Sequence, residues 1–300
     1  MNVALSEFGG KSDSIKAALL EEGHTLTRHL DERVDVLLID HVWENRWDIV
    51  AAAANLGVPT VLYPHGGGVP VDYDGVVPTD LPVALHMVHA EGHRQIMAMY
   101  GYPHPTAVLG WNYTPVLPFT PVEKPRRILF APHHPWADGH TLEDAAVEIN
   151  RHAYDQFRKL PGRKTCRFVG HPLPNGIGAT QGVTFIQAEK DNSYQDVLNA
   201  DVVIAVGTFA FMAVALGKPT VMLEWFPENK RIPTTPAHWD EYKDELRYPY
   251  RTDDGPLADV IAAACAGGPE LTRWRSRFIG EPMTSRRLND LIESVRCSKT

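Results

Sequence analysis

The sequence predicts an α/β protein built as two Rossmann-like domains facing a central cleft, and three observations carry that prediction. Short runs rich in Val, Ile and Leu alternate with stretches of helical spacing, the pattern of parallel sheets covered by helices. The alternation occurs twice, in residues 1–118 and again in residues 119–283. A length of 300 residues suits two modest domains, each able to bury a core of its own.

In the first half, residues 2–5 are a short apolar strand, and residues 12–22 an amphipathic helix that stops at Gly23. Residues 34–40 (VDVLLID) read as a nearly continuous buried strand, and residues 46–56 as a helix ending at Gly57. Residues 59–63 are a third strand, followed by the loop Pro64-His65-Gly66-Gly67-Gly68. Residues 83–89 alternate as a fourth strand, residues 90–101 are a helix leaving it, and residues 107–110 a fifth strand. Residues 115–125 hold four prolines and read as a linker. In the second half, residues 126–132 are a strand, 141–159 a long helix, and 165–172 a strand with its loop. Residues 183–187 are another strand, and 192–200 a helix. Residues 201–207 run into the apolar helix of 209–217, and residues 219–224 complete the set. Apolar residues at 288, 291, 292 and 295 give one buried helical face, so residues 284–300 either close the second domain or cross back onto the first.

Composition narrows the function classes. Hydrophobic residues make up 44% and charged residues 22%, which fits an ordered globular protein. No apolar run reaches the roughly 18–20 residues of a bilayer-spanning helix. The N-terminus lacks the basic head and apolar stretch of a secretory signal. Three widely spaced cysteines, Cys166, Cys265 and Cys297, fit a reducing cytosol, so a cytoplasmic location is expected. Of the 29 Lys/Arg and 37 Asp/Glu, six and fourteen fall in residues 1–118, which leaves 23 of each sign for the rest. The first part therefore carries the whole net charge of −8, and a long phosphate polymer is not drawn to it by charge.

Parallel strands aim their carboxyl ends at ligands, so the residues just after each strand are the candidates. Gly9 and Gly10 follow the first; such a pair either lets backbone N–H groups approach an anion or simply makes a tight turn. Asp40 follows the second. His65 follows the third, with Gly66 and Gly67 beyond it, and is either a general base titrating near neutrality or a ring bonded to loop backbone. His86, His89 and His93 match no metal-binding spacing and read as scattered, solvated or capping residues. In the second half, His133 and His171 follow strands, and Gly207-Thr208 stands where a strand meets an apolar helix. Orphan N–H groups and the helix dipole favour phosphate there, although Thr208 also suits a plain N-cap. Two basic clusters, Lys124/Arg126/Arg127 and Arg158/Lys159/Arg163/Lys164/Arg167, read as solvated surface because no aromatic residues interleave them.

Several of these segments resemble a known group. RRILFAPHHPW is like an "ILYAPT" strand and loop. GHP at 170–172 and YQDVLNADVVIAVGTFAFMAVALGKPTVML at 194–223 resemble the donor domain of GT-B nucleotide-sugar enzymes. PTVLYPHGGG resembles the "HG" loop of CDP-glycerol glycerophosphotransferases, and HAEGHRQIMAMYG…VLGWNYTPV resembles a stretch they share with UDP-N-acetylglucosamine 2-epimerases. The resemblance implies a GT-B architecture. It also implies a metal-independent transferase moving a sugar or polyol phosphate from a nucleotide-activated donor, UDP- or CDP-linked, to an acceptor hydroxyl, with no separate cofactor. By match, His65 is the catalytic base and His171 a donor-phosphate contact, with His133, Gly207 and Thr208 around the donor and Asp40 or Glu91 orienting His65 or the acceptor. The acidic residue that the family carries five positions before the Gly of "GKP" is here Met212, and Glu224 or Glu228 are the carboxylates available to replace it. The alternatives are a 2-epimerase or hydrolase on the same scaffold, a phage-type transferase acting on hydroxymethylated bases of DNA, and a nucleotide-sugar-binding module without catalysis.

Overall fold

In the computed structural model the apolar runs of the sequence form two wholly parallel sheets, each with helices packed against it. The structure describes residues 1–6, 13–40, 47–64, 82–99, 101–132, 142–168, 177, 180–187, 193–223 and 248–297. These divide into two units, one of residues 1–113 and 276–297, the other of residues 114–223 and 248–275.

The first unit contains β1 (Asn2–Ser6), α1 (Asp13–Glu21), β2 (Thr25–Thr27), β3 (Val36–Ile39), α2 (Trp47–Asn55), β4 (Thr60–Leu62), β5 (Val83–Val88), α3 (Glu91–Met99) and β6 (Thr106–Val108). Its sheet has the order β2-β1-β3-β4-β5-β6. All four residues of β3 are buried, as expected where helices cover both faces of a parallel sheet. Successive side chains point to opposite faces, so Val3, Leu5, Val36, Leu38, Val61 and Met87 enter one core, and Ala4, Leu37, Ile39 and Leu62 enter another. Helix α1 covers the first core with Ile15, Ala18 and Leu19; α2 covers the second with Val50 and Ala53.

The second unit contains β7 (Arg127–Ala131), α4 (Leu142–Phe157), β8 (Arg163–Phe168), β9 (Val183–Gln187), α5 (Ser193–Asn199), β10 (Val202–Ala205), α6 (Gly207–Ala215), β11 (Thr220–Met222) and α7 (Leu257–Ala266). Its strand order is β11-β10-β7-β8-β9. Tyr154 and Phe157 of α4 and Leu257, Ile261 and Ala264 of α7 share a core with Ile128, Phe130, Val202 and Ile204. Helix α6 is apolar all round and correspondingly buried from Ala210 to Ala215. Cys166 and Cys265 are free and buried, and burial pushes their thiols up to about 12 and about 11.

The chain returns to the first unit within α8 (Pro269–Phe278), and α9 (Ser285–Cys297) ends the described residues. Of the two destinations open for this last helix, the structure takes the first unit. Leu288, Ile292 and Val295 join the core of Ile15 and Leu19, and Asn289 Oδ1 lies 2.9 Å from His24 Nε2.

Two expectations need correction. The proline-rich stretch is not a free linker. Leu117 N–H donates to Ala215 O (2.8 Å), Thr120 N–H to Gly217 O (3.1 Å) and Val122 N–H to Cys265 O (3.0 Å), so it is laid down on the ends of α6 and α7. Strand β2 and helices α7 and α8 also stand where no element was expected.

The Gly217-Lys218-Pro219 turn now has a mechanical account. Gly217 N–H donates to Val214 O and Lys218 N–H to Ala213 O, both 3.0 Å, which closes α6 in a Schellman motif with Gly217 at φ +72°. Lys218 Nζ then donates to the carbonyls of Leu198 and Ala200, each 2.9 Å away, at the end of α5. A Cβ on Gly217 would overlap the carbonyl oxygen of Pro118. We therefore expect Gly217→Ala to destabilise the second unit by about 2 kcal/mol, from the left-handed backbone and the overlap together. Urea titration checks this, and an unchanged midpoint contradicts it.

Candidate functional site

Ligands of open parallel sheets bind beyond the carboxyl ends of strands, where the strand order reverses. In the first unit the reversal lies between β1 and β3, and Asp40 follows β3 there with 2% of its surface exposed. A cavity of about 730 Å³ runs along the sheet face beside α2, from Ser6, Arg28 and Asp48 past Ala4 and Leu37 to Leu56.

In the second unit the reversal lies between β7 and β10, so Gly207 and Thr208 open α6 at the switch point itself. The N-cap position is Val206, in extended conformation and making no side-chain cap bond. This corrects the reading of Thr208 as an N-cap: it sits inside the first turn, half-buried, one residue after an exposed Gly207 at φ +57°. The positive end of the helix dipole therefore stands at the switch point, with no side-chain cap from Val206. Met212 is 9% exposed and forms part of the buried stretch of α6, which has no carboxylate.

Arg167, expected on a solvated surface, is 7% exposed and its guanidinium joins three elements. From β8, Nε donates to Asp196 Oδ2 (2.9 Å) and Nη2 to Ser193 Oγ (2.7 Å) on α5, and the guanidinium carbon stands 4.9 Å from the Phe209 ring centroid in the first turn of α6. The other basic residues behave more as expected. Arg158 pairs with Asp155 in the open, and Lys164 Nζ donates to Leu160 O. Arg127 is bound to Asp201, which also accepts from the N–H groups of Arg126 and Arg127. Burial raises the Asp201 carboxyl, but these donors outweigh it and hold the group below the usual carboxylate range.

The three histidines of residues 86–93 do not come together as one group, as expected, but they are not solvated: His86, His89 and His93 are 3%, 2% and 1% exposed. His86 Nδ1 lies 2.8 Å from the Tyr102 hydroxyl, whose burial raises it further above its ordinary range. His89 and His93 meet edge to face at 5.8 Å, and His93 packs against Phe278. Burial, with the neighbouring His89, holds His93 neutral well below the ordinary imidazole range. A missing Cβ makes the contact close: one on Gly92 would stand 2.7 Å from Arg277 O and 2.9 Å from the Phe278 ring. Among the described residues no group of three His, Cys, Asp or Glu side chains is arranged to hold a metal ion.

Beyond β6 the chain forms a platform at the same carboxyl edge. Trp111 pairs with Pro282 as an isolated bridge, and His89 lies against Trp111 and Tyr113, at 4.8 and 5.5 Å between ring centroids. Asn112 is 6% exposed, and among the described residues neither polar atom of its side chain has a hydrogen-bond partner.

Of the other candidates, Glu91 opens α3 and is bound by Arg94 through two bonds of 2.6 and 2.9 Å. The arginine holds it below the usual carboxylate range, so it is ionised at neutral pH and a weak base. Gly9, Gly10, His65, Gly66, Gly67, His133, His171, Glu224 and Glu228 lie outside the described residues. Among the described residues no helix is long and apolar enough to cross a membrane.

No protein-family model matches the sequence, and no curated protein matches it. Solved structures do, at low identity and over nearly the whole chain. A protein designated UDP-N-acetylglucosamine 2-epimerase from Listeria monocytogenes superposes with a TM-score of 0.57 at 11% identity, covering 99% of this chain and 96% of that one. S. aureus MnaA in complex with UDP gives 0.55 at 12% identity, with 99% and 97% covered. The spinosyn rhamnosyltransferase SpnG gives 0.53 at 13% identity, with 97% and 100% covered. The chain thus has the two-domain Rossmann-like α/β fold expected from its sequence, that of the GT-B nucleotide-sugar enzymes.

Proposed function

We propose that this chain is a metal-independent transferase that moves a sugar or polyol phosphate from a nucleotide-activated donor to an acceptor hydroxyl. The observation that carries the reading is the start of α6 at the switch point of the second sheet, where the positive end of the helix dipole and the Thr208 hydroxyl suit the donor phosphates. The likeness in fold to a protein solved with UDP supports it. The acceptor then belongs to the first unit, whose cavity offers Arg28 and Asp48 beside apolar walls.

In this reading His65 takes the proton of the acceptor hydroxyl, and the oxygen forms its new bond to the sugar carbon or the phosphorus. The bond to the nucleotide phosphate breaks, and its electron pair stays on the leaving phosphate oxygen. His171, His133 and the start of α6 offset the charge that develops there. Asp40, buried at the first switch point, orients the acceptor or His65. Met212 makes no ribose contact of the kind a carboxylate supplies, so that role falls to Glu224 or Glu228. The likeness to the Listeria protein favours a second reading, epimerisation at C2 of a nucleotide sugar on the same scaffold.

Thermal shift with UDP, CDP, GDP, ADP and TDP and their sugar or polyol conjugates tests the donor site, because a ligand that binds only the folded state raises the melting temperature. We expect one nucleotide to stabilise the protein, less so after Thr208→Val or His171→Ala. His65→Ala is expected to keep that shift and lose transfer by about 10²–10⁴-fold. No shift with any nucleotide contradicts the reading. Conversion of UDP-N-acetylglucosamine to its C2 epimer without nucleotide release selects the second.

A further inference from the structure

The cavity of the first unit has two unlike ends. Its floor is Ala4 of β1 and Leu37 of β3, which are paired side by side in the sheet and each 2% exposed. One wall is a stripe of α2, where Asp48, Ile49, Ala52 and Leu56 recur at the spacing of a single helical face. Leu56 N–H donates to Ala52 O (3.1 Å), so the turn continues past Asn55. From Asp48 to Leu56 the stripe is about 12 Å long, by the rise of an α-helix.

The polar residues gather at one end. Ser6 ends β1, Arg28 follows β2 and Asp48 lies in the first turn of α2, all at the carboxyl edge of the sheet. Towards the amino edge the lining is apolar, and Leu56 is 44% exposed there. The small side chains of Ala4 and Ala52 leave the space between sheet and helix open. Its volume of about 730 Å³ is that of a small-molecule site.

The charges at the polar end are opposite in sign. An uncharged hydroxyl can donate to Asp48 and accept from Arg28, whereas an ion there meets one group of its own sign. The net charge of −8 in residues 1–118 further disfavours an anion. A free sugar or polyol, in turn, has no apolar body to lay against Leu37, Ile49 and Leu56.

We propose that this cavity binds an amphiphilic alcohol, with an apolar body of about 12 Å along α2 and a hydroxyl between Arg28 and Asp48. That this alcohol is the acceptor of group transfer rests on the reading of the chain as a transferase; that the cavity binds it does not.

Titration calorimetry with 4-phenylphenol tests the site, with glycerol, glucose and biphenyl-4-carboxylate for comparison. The phenol is expected to bind at one site, and glycerol and glucose about a hundredfold or more weakly, for want of apolar area to bury. Ala52 is exposed on α2, so Ala52→Trp should fill the cavity and weaken the phenol about tenfold or more at an unchanged melting temperature. Should the tryptophan lower that temperature, Ala52→Glu sets a charge against the apolar body instead, with the same loss expected. Asp48→Ala should weaken the phenol about two- to tenfold, the loss of one hydrogen bond. No binding of the phenol, or binding undiminished in the Ala52 variants, overturns the inference. Tighter binding of biphenyl-4-carboxylate overturns its choice of head group. Nucleotide thermal shifts on the same protein report on the donor site separately. Phenol binding without any nucleotide shift keeps the cavity assignment and removes the transferase reading, and a nucleotide shift without phenol binding does the reverse.

Discussion

Replacing Leu288 and Ile292 together by alanine is expected to unfold the first unit under conditions where the second stays folded. Both side chains are fully buried, in the core that α9 shares with Ile15, Leu19, Val36 and Leu38. Truncating a buried Leu or Ile to Ala costs about 2–5 kcal/mol, and the two sit one turn apart in one cluster, so their effects couple rather than add. Even the lower end of the pair is a large share of the roughly 5–15 kcal/mol that holds a domain together. The second unit has a separate core of Phe130, Phe157, Ile204 and Ile261, to which α9 contributes nothing. Hydrogen exchange followed by mass spectrometry separates the units. Peptides of β1, β3 and α1 should lose protection, while those of β7, β10 and α6 keep theirs. Equal loss in both halves would show that the chain folds as one cooperative body, and that α9 is not the private cover of the first core.

Most of the fold was legible because both sheets are buried on both faces. Runs such as Val36–Ile39 and Val202–Ala205 are apolar at every position, and glycines such as Gly23 and Gly57, at φ +77° and +66°, mark where helices stop. Strand β2 gave no such signal. It is an edge strand of three residues, Thr-Leu-Thr, partly exposed and paired only with β1. The proline-rich stretch looked like a linker because its composition is that of one; its attachment depends on carbonyls at the end of α6, about a hundred residues further on. His89 and His93 looked solvated because their cover comes from Trp111 and Phe278, which no local pattern brings to them. The site was legible mainly as positions after strands. Asp40, Gly207 and Thr208 do stand at switch points, but the strand order that makes those points is a tertiary fact. Arg167 was missed because a basic residue in a strand of mixed polarity reads as surface until Asp196 is placed beside it. The one sequence hint was Asp196 on the helix of residues 192–200, a carboxylate near enough in the chain to return to β8.

The second large effect is expected at Arg167. Arg167→Met leaves the Asp196 carboxylate, 19% exposed, without its 2.9 Å partner, and strips Ser193 Oγ and the Phe209 ring of the guanidinium. Removing one member of a buried ion pair costs about 3–5 kcal/mol, because the charge left behind stays desolvated. Arg167→Met with Asp196→Leu should recover most of that stability, since neither charge is then buried. The double variant does not restore the clamp between β8, α5 and the first turn of α6, and apolar side chains give that turn no directional contact. If the clamp serves the donor site, the double variant will melt close to the unaltered protein and still show little nucleotide-induced shift. Urea titration and thermal shift on the same three proteins separate the two roles. A double variant that regains both its midpoint and its nucleotide shift would make Arg167 a stabilising residue alone. One that regains only the midpoint would mean that a buried arginine is how this chain shapes a helix terminus that carries no side-chain cap.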